Sequence, residues 1–139
     1  ALALETIQDP GNLGTIIRIA DWLGISRVYC SPDCVDTYNP KTIQATMGSF
    51  ARVQVIEQDI VELLKTGHVP GYAATLHGRN ITEFERVKEG ILLIGNESRG
   101  LSQQVIDHST HRITIPRLGG AESLNAAIAT GIICGRLLI

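Results

Sequence analysis

Three times in this 139-residue chain a short apolar run ends in a polar, glycine-bearing stretch that leads into a helical pattern. LALETI runs into DPGNLG, ILLI into GNESRG, and RITIP into LGGAESLN. This recurrence of strand, loop and helix constrains the fold more than any other feature. Strands separated by helices pair in parallel, because a parallel pair needs a long crossover and a helix supplies it. Runs such as Ile91–Ile94 are apolar on both faces, as in a sheet covered by helices on each side. The expected fold class is therefore α/β, a mainly parallel sheet flanked by helices. Strands are expected at Ala1–Ile7, Arg27–Cys30, Val53–Ile56, Tyr72–Leu76, Ile91–Ile94 and Arg112–Ile115. Helices are expected at Leu13–Leu23, Pro40–Met47, Ile60–Thr66, Gln103–His108 and Leu124–Leu138. No repeat, linker or low-complexity run divides the chain, so residues 1–139 form one domain. Aromatic residues are only 4% against 44% hydrophobic, so Ile, Leu, Val and Ala must build the core.

Several classes are excluded. A formal charge of −2 gives no global electrostatic footprint for nucleic acid, so any RNA contact must be local or lie in another part of the protein. Three cysteines without a CxxC pair argue against a disulfide framework or a zinc site and fit a reducing, cytoplasmic setting. No signal peptide is visible, and no apolar run approaches the roughly 18 residues of a membrane span. The chain starts without Met in an apolar run, as expected of a domain taken from a longer protein. GxGxxG, the P-loop and HExxH are all absent, and His68, His77, His108 and His111 lack metal-ligand spacing, so no metal is expected.

Five polar side chains could carry chemistry. Arg18 sits among apolar residues in TIIRIADWL; it is either a structural ion pair, with Asp21 or Glu97, or an arginine that holds a phosphate or a reacting oxygen. Asn12 lies six residues earlier and could border the same loop. Glu97 is either a solvated turn acid or an acceptor for Arg18 or a ligand. Ser123 is not in a GxSxG elbow; it is a helix N-cap or a site hydroxyl, and Asn125 is a cap-proximal polar group or a site residue. His77 follows a strand end and either lines a pocket or sits on the surface. The last helix is apolar almost all round, with Gly131 and Gly135 open to close approach; a second subunit or another segment must cover its outer side.

Taken together, three motifs carry a family resemblance. DPGNLGTIIRIADWLG at Asp9–Gly24, LLIGNESRGLS at Leu92–Ser102 and ITIPRLGGAESLNAAIA at Ile113–Ala129, with YNPKTIQATMGSFARVQV at Tyr38–Val55, resemble the SpoU (TrmH-type) RNA ribose methyltransferases of the SPOUT superfamily. The resemblance covers nearly the whole chain. It implies an α/β domain with a C-terminal trefoil knot, S-adenosyl-L-methionine as cofactor, homodimers with active sites near the interface, and ribosomal or transfer RNA as partner. It places Gly95, Ile115 and Leu124 against the cofactor, with Thr75, Leu76, Asn96, Pro116 and Leu118 around the same pocket. Asn12, Arg18, Glu97, Ser123 and Asn125 match the polar active-site positions.

The implied reaction moves a methyl group to a ribose 2′-hydroxyl, and the Asn-x-Gly-x-x-x-Arg spacing at Asn12–Arg18 favours ribose over a base. Arginine stays protonated, so Arg18 would orient a phosphate and stabilise developing negative charge rather than act as a base. Arg117 and Ala126–Ala127 depart from the family's usual residues. An N-terminal RNA-binding domain, present in many relatives, is expected to be absent from these residues; Arg18, Lys41, Arg52, Arg79 and Arg99 are the local cations that could meet RNA. The alternatives are a non-catalytic RNA- or nucleotide-binding module with the same fold, or a base-modifying member of the superfamily.

Overall fold

A computed structural model describes residues 1–139. Six strands, β1 (Leu2–Leu4), β2 (Arg27–Cys30), β3 (Gln54–Glu57), β4 (Gly71–Asn80), β5 (Ile91–Ile94) and β6 (His111–Thr114), form one sheet. Their order is β3-β2-β1-β5-β4-β6 and every neighbouring pair is parallel. Five helices connect and cover them: α1 (Pro10–Trp22), α2 (Pro40–Thr46), α3 (Ile60–Thr66), α4 (Gln103–Asp107) and α5 (Ala126–Leu138).

The period of two along the strands divides the core between the faces. Leu2, Leu4, Leu92 and Ile94 pack with Leu13, Ile16 and Ile17 of α1 and Ile133 and Leu137 of α5. Ala3, Ile91 and Leu93 point the other way, onto Ile60 and Leu63 of α3 and Val105 of α4. The doubly covered parallel sheet expected from ILLI is therefore present. β1 leads into α1 on one face and β5 into α4 on the other, so strand order reverses between two adjacent strands. Such a switch point leaves a crevice at the carboxyl ends of the strands, where α/β proteins bind ligands.

Four local outcomes differ from the sequence expectations. β1 stops at Leu4, because Thr6 has a left-handed backbone with φ of 56°. For a β-branched residue this costs on the order of 1–2 kcal/mol. DPGNLG is not a loop: α1 begins at Pro10, where proline loses no bond, and Asp9 caps it through the amides of Gly11 and Asn12. β4 runs on to Asn80, because its pairing with β6 slips between Ala74 and Arg79 and the extra residues bulge out. The cap of α5 is Asn125, whose side chain accepts from Ala127 and Ile128, and not Ser123.

Gly14 sets how α1 meets α2. A Cβ there would lie 2.4 Å from the Thr42 carbonyl oxygen and 2.5 Å from Ala45 Cβ, so only glycine allows this approach. No helix is long and apolar enough to cross a membrane.

Candidate active site

A cavity of about 570 Å³ opens at the carboxyl ends of β4, β5 and β6. That size lies within the range of about 300–1,000 Å³ typical of small-molecule sites. Three segments wall it: Ala74–Leu76 of the β4 bulge, Ile94–Leu101 after β5, and the stretch from Ile113 to Leu124 that joins β6 to α5. All eight residues that the resemblance assigns to a cofactor, namely Gly95, Ile115, Leu124, Thr75, Leu76, Asn96, Pro116 and Leu118, line this one space. Its surface is mainly apolar.

The loop after β5 closes on itself. Asn96 and Gly100 exchange backbone hydrogen bonds, 3.1 Å from the Asn96 amide and 2.9 Å from the Gly100 amide. Asn96 Oδ1 accepts from the amides of Ser98 and Arg99, both at 3.0 Å. Gly95 is obligatory in this turn, since a Cβ would fall 2.1 Å from the Leu101 nitrogen. One buried side-chain polar atom has no partner in the whole chain, Thr75 Oγ1, and Thr75 lies in the cavity wall. A buried hydroxyl left unpaired costs on the order of 1–3 kcal/mol, so this one is suited to a ligand's polar edge.

Beside the cavity three of the five polar candidates join in one chain of hydrogen bonds. Asn125 Nδ2 donates to Asn12 Oδ1 at 2.9 Å, and Asn12 Nδ2 donates to Glu97 Oε1 at 3.5 Å. Glu97 also accepts from the Gln8 amide at 3.1 Å and the Asp9 amide at 3.0 Å. Burial raises the Glu97 carboxyl, but the amides of Asp9, Glu97 and Gln8 and the Asn12 side chain outweigh it and hold the group below the ordinary carboxylate range. Glu97 is thus neither a solvated turn acid nor a partner of Arg18; it pins the start of α1 to the loop after β5. Asn125 ties the start of α5 to the same point. All three motifs meet here.

Arg18 and Ser123 stand outside this chain. Arg18 is exposed, not buried among core residues, and its guanidinium has no ion pair or hydrogen bond. Asp21, one expected partner, instead takes Arg52 at 2.7 Å and the Ser49 hydroxyl at 2.7 Å. Ser123 is exposed on the loop over the cavity, and Leu118 on that loop is 97% exposed. Thr15, Arg18 and Trp22 form an exposed stripe on α1; Trp22 is 88% exposed. Ile128 and Ile132 are exposed on α5, while Gly131 of α5 packs against Ile19 of α1.

Among the other cations, Arg52 is committed to Asp21 and Arg79 to Glu83 and the Phe84 ring, whereas Lys41 and Arg99 are unpaired. His77 is exposed and does not line the cavity. Thr6, Ser31 and Asp33, which no motif marks, brace the same region. Their one local sign is the turn sequence Ser-Pro-Asp directly after β2.

Fold and cavity together define a parallel α/β protein with a cavity of small-molecule size at the carboxyl ends of β4, β5 and β6. The chain belongs to the SpoU rRNA Methylase family, whose model matches residues 1–135. It is 33% identical over 136 residues to the 23S rRNA (guanosine(2553)-2′-O)-methyltransferase RlmP of Bacillus subtilis, covering 95% of this chain and 55% of that protein. The AdoMet-bound rRNA methyltransferase from Sinorhizobium meliloti superposes with a TM-score of 0.91 at 35% identity, over 98% of this chain and 54% of that one. The SpoU methyltransferase AviRb from Streptomyces viridochromogenes, in complex with AdoMet, gives 0.86 at 30% identity, over 98% and 58%. The chain spans about half the length of the curated relatives it matches.

Proposed function

We propose that this chain is the catalytic domain of an S-adenosyl-L-methionine-dependent RNA methyltransferase that modifies a ribose 2′-hydroxyl of ribosomal or transfer RNA. The observation that carries this reading is the convergence of three separate segments on one apolar cavity with an unpaired Thr75 hydroxyl in its wall. Two relatives of the same fold hold AdoMet, and a third is named for ribose methylation of 23S rRNA.

The residues fit the cofactor. Ile115, Pro116, Leu118 and Leu124 would cover its apolar parts, the backbone at Gly95 would read its ring edge, and Thr75 Oγ1 would gain a partner. Bound there, S-adenosylmethionine supplies an electrophilic methyl group whose leaving thioether needs no acid. The protein must align the ribose oxygen and assist loss of its proton. Arg18 is free to hold the adjacent phosphate and to stabilise negative charge on that oxygen. Ser123 presents a free hydroxyl over the cavity. Asn12, Glu97 and Asn125 set the geometry of the loops around it.

A homodimer is part of the reading. Pairing of two copies through α1 and α5 would cover Trp22 on α1 and Ile128 and Ile132 on α5, large apolar side chains that the single chain leaves exposed. So is the trefoil knot. β6 lies at the sheet edge while α5 packs on α1, so the segment between them must double back across the strand ends. The remaining half of the full-length relatives is the natural source of further RNA contacts, and an enzyme on such RNA works in the cytoplasm.

Calorimetric titration with S-adenosylmethionine, followed by methyl transfer to RNA, tests the proposal. Saturable binding that Leu124→Trp abolishes is expected, with Arg18→Ala losing transfer but keeping binding. A folded protein that does not bind the cofactor refutes the enzyme reading and leaves the non-catalytic binding module.

A further inference from the structure

The residue that turns the chain out of β1, Thr6, has a left-handed backbone that glycine adopts without steric cost. Here it is a β-branched residue instead, and each of its polar groups is engaged. Its amide donates to Ser31 Oγ at 2.8 Å, its hydroxyl donates to Asp33 Oδ2 at 2.8 Å, and its carbonyl accepts from Asn96 Nδ2 at 2.8 Å. Ser31 Oγ in turn donates to the other oxygen of Asp33 at 2.5 Å. One carboxylate beyond β2 thus grips two hydroxyls, one of them on the strained residue. The Ser31 and Thr6 hydroxyls hold the Asp33 carboxyl below its ordinary range. Two and three residues after Thr6 come the amides of Gln8 and Asp9 that Glu97 accepts, and then the cap of α1 and Asn12.

We propose that Ser31 and Asp33 form a clasp that holds Thr6 left-handed, and that Thr6 is a positioning residue: it aims Gln8, Asp9 and Asn12 at Glu97 and Asn125 and so sets the geometry of the methyl-transfer site. Strain at a residue gripped from a neighbouring strand, next to a site, is the arrangement by which a fold pre-organises a loop. The inference rests on the function proposed above, but the clasp itself has a readout without cofactor or RNA.

The test uses the whole chain in four variants: Asp33→Ala, Thr6→Val, Thr6→Gly, and Thr6→Gly combined with Asp33→Ala. Two quantities are measured. One is hydrogen exchange at the Gln8 and Asp9 amides of the ligand-free protein. The other is single-turnover methyl transfer to ribosomal RNA transcribed in vitro, alongside the dissociation constant for S-adenosylmethionine.

Asp33→Ala and Thr6→Val each break the Thr6–Asp33 arm of the clasp, leave the Thr6 amide on Ser31 Oγ, and keep the strain. Both are expected to speed exchange at the two amides about tenfold. Both are expected to slow transfer about tenfold or more, with cofactor affinity changed less than about twofold, because misplacement of a reacting group costs rate rather than binding of the other substrate. Glycine needs no clasp, so Thr6→Gly in the Asp33→Ala background is expected to restore slow exchange and most of the transfer rate.

A double variant as slow in transfer as Asp33→Ala alone overturns the proposal: Asp33 would then act by another route, such as its attraction to Arg99. Unchanged exchange in Asp33→Ala overturns it too, as does fast exchange with undiminished transfer. Wild-type protein with protected amides that binds no S-adenosylmethionine would sink the functional reading, while the exchange data still decide whether the clasp exists.

Discussion

Two glycines in helices of this protein should respond to the same substitution with opposite signs. In a helix interior alanine is favoured over glycine by about 0.8–1 kcal/mol, so propensity alone expects both Gly14→Ala in α1 and Gly131→Ala in α5 to stabilise. The surroundings differ. A Cβ at Gly131 meets only Ile19 Cδ1 at 3.6 Å, an ordinary contact. A Cβ at Gly14 falls 2.4 Å from the Thr42 carbonyl oxygen and 2.5 Å from Ala45 Cβ. Neither obstacle can rotate away, because one is backbone and the other is the first side-chain atom of a residue on the packed helix. α2 must move outward by roughly 1 Å, and overpacking of this kind costs about 1–3 kcal/mol, more where backbone is the obstacle. Sterics therefore outweigh propensity at Gly14 and not at Gly131. Gly14→Ala is expected to lower stability by about 1–3 kcal/mol, and Gly131→Ala to raise it by about 0.5–1 kcal/mol. With roughly 3 °C per kcal/mol for a chain of this size, the melting temperatures should separate by about 5–12 °C. Adding Ala45→Gly to Gly14→Ala should recover only part of the loss, since the Thr42 carbonyl stays in place. Urea and thermal unfolding followed by circular dichroism measure this directly. A Gly14→Ala protein as stable as wild type would refute the close approach of α1 and α2.

Glu97 has a folded pKa held below its ordinary value, so its contribution is present above the unfolded value and is lost as pH falls through the folded one. Between about pH 5 and pH 3 the wild-type urea midpoint should fall more steeply than that of Glu97→Gln, and parallel curves would contradict the clasp on Gln8 and Asp9. Asn125→Ala removes both the cap of α5 and the bond to Asn12, and should cost about 1–2 kcal/mol in the same unfolding assay. Sedimentation should give twice the chain mass for the wild type and the single-chain mass for Trp22→Glu; a monomeric wild type would refute pairing through α1 and α5.

Local interactions explain why so much was legible in the sequence. The strands at Arg27–Cys30 and Ile91–Ile94 and the helix at Ile60–Thr66 lie where the residue pattern puts them, because each pattern is imposed by a core contact at fixed period. The parallel sheet followed from strands apolar on both faces. The grouping of Thr75, Gly95, Ile115 and Leu124 around one cavity was legible only through the family motifs, since nothing local links positions so far apart.

Propensity, periodicity and capping act within a few residues, so the elements, their alternation and the polar identity of the loops can be read along the chain. The placement of the site residues is set by long-range packing instead. Arg18 looked buried because its neighbours Ile16, Ile17 and Ala20 are buried, yet its angular position on α1 turns it to the surface. Ser123 looked like a cap, but the turn to helix came two residues later, where Asn125 could serve both α5 and Asn12. Glu97 found backbone amides 88 and 89 residues away in place of an arginine. These choices depend on which segments the parallel sheet brings to the same strand ends, and such contacts between distant segments leave no period in the chain that makes them.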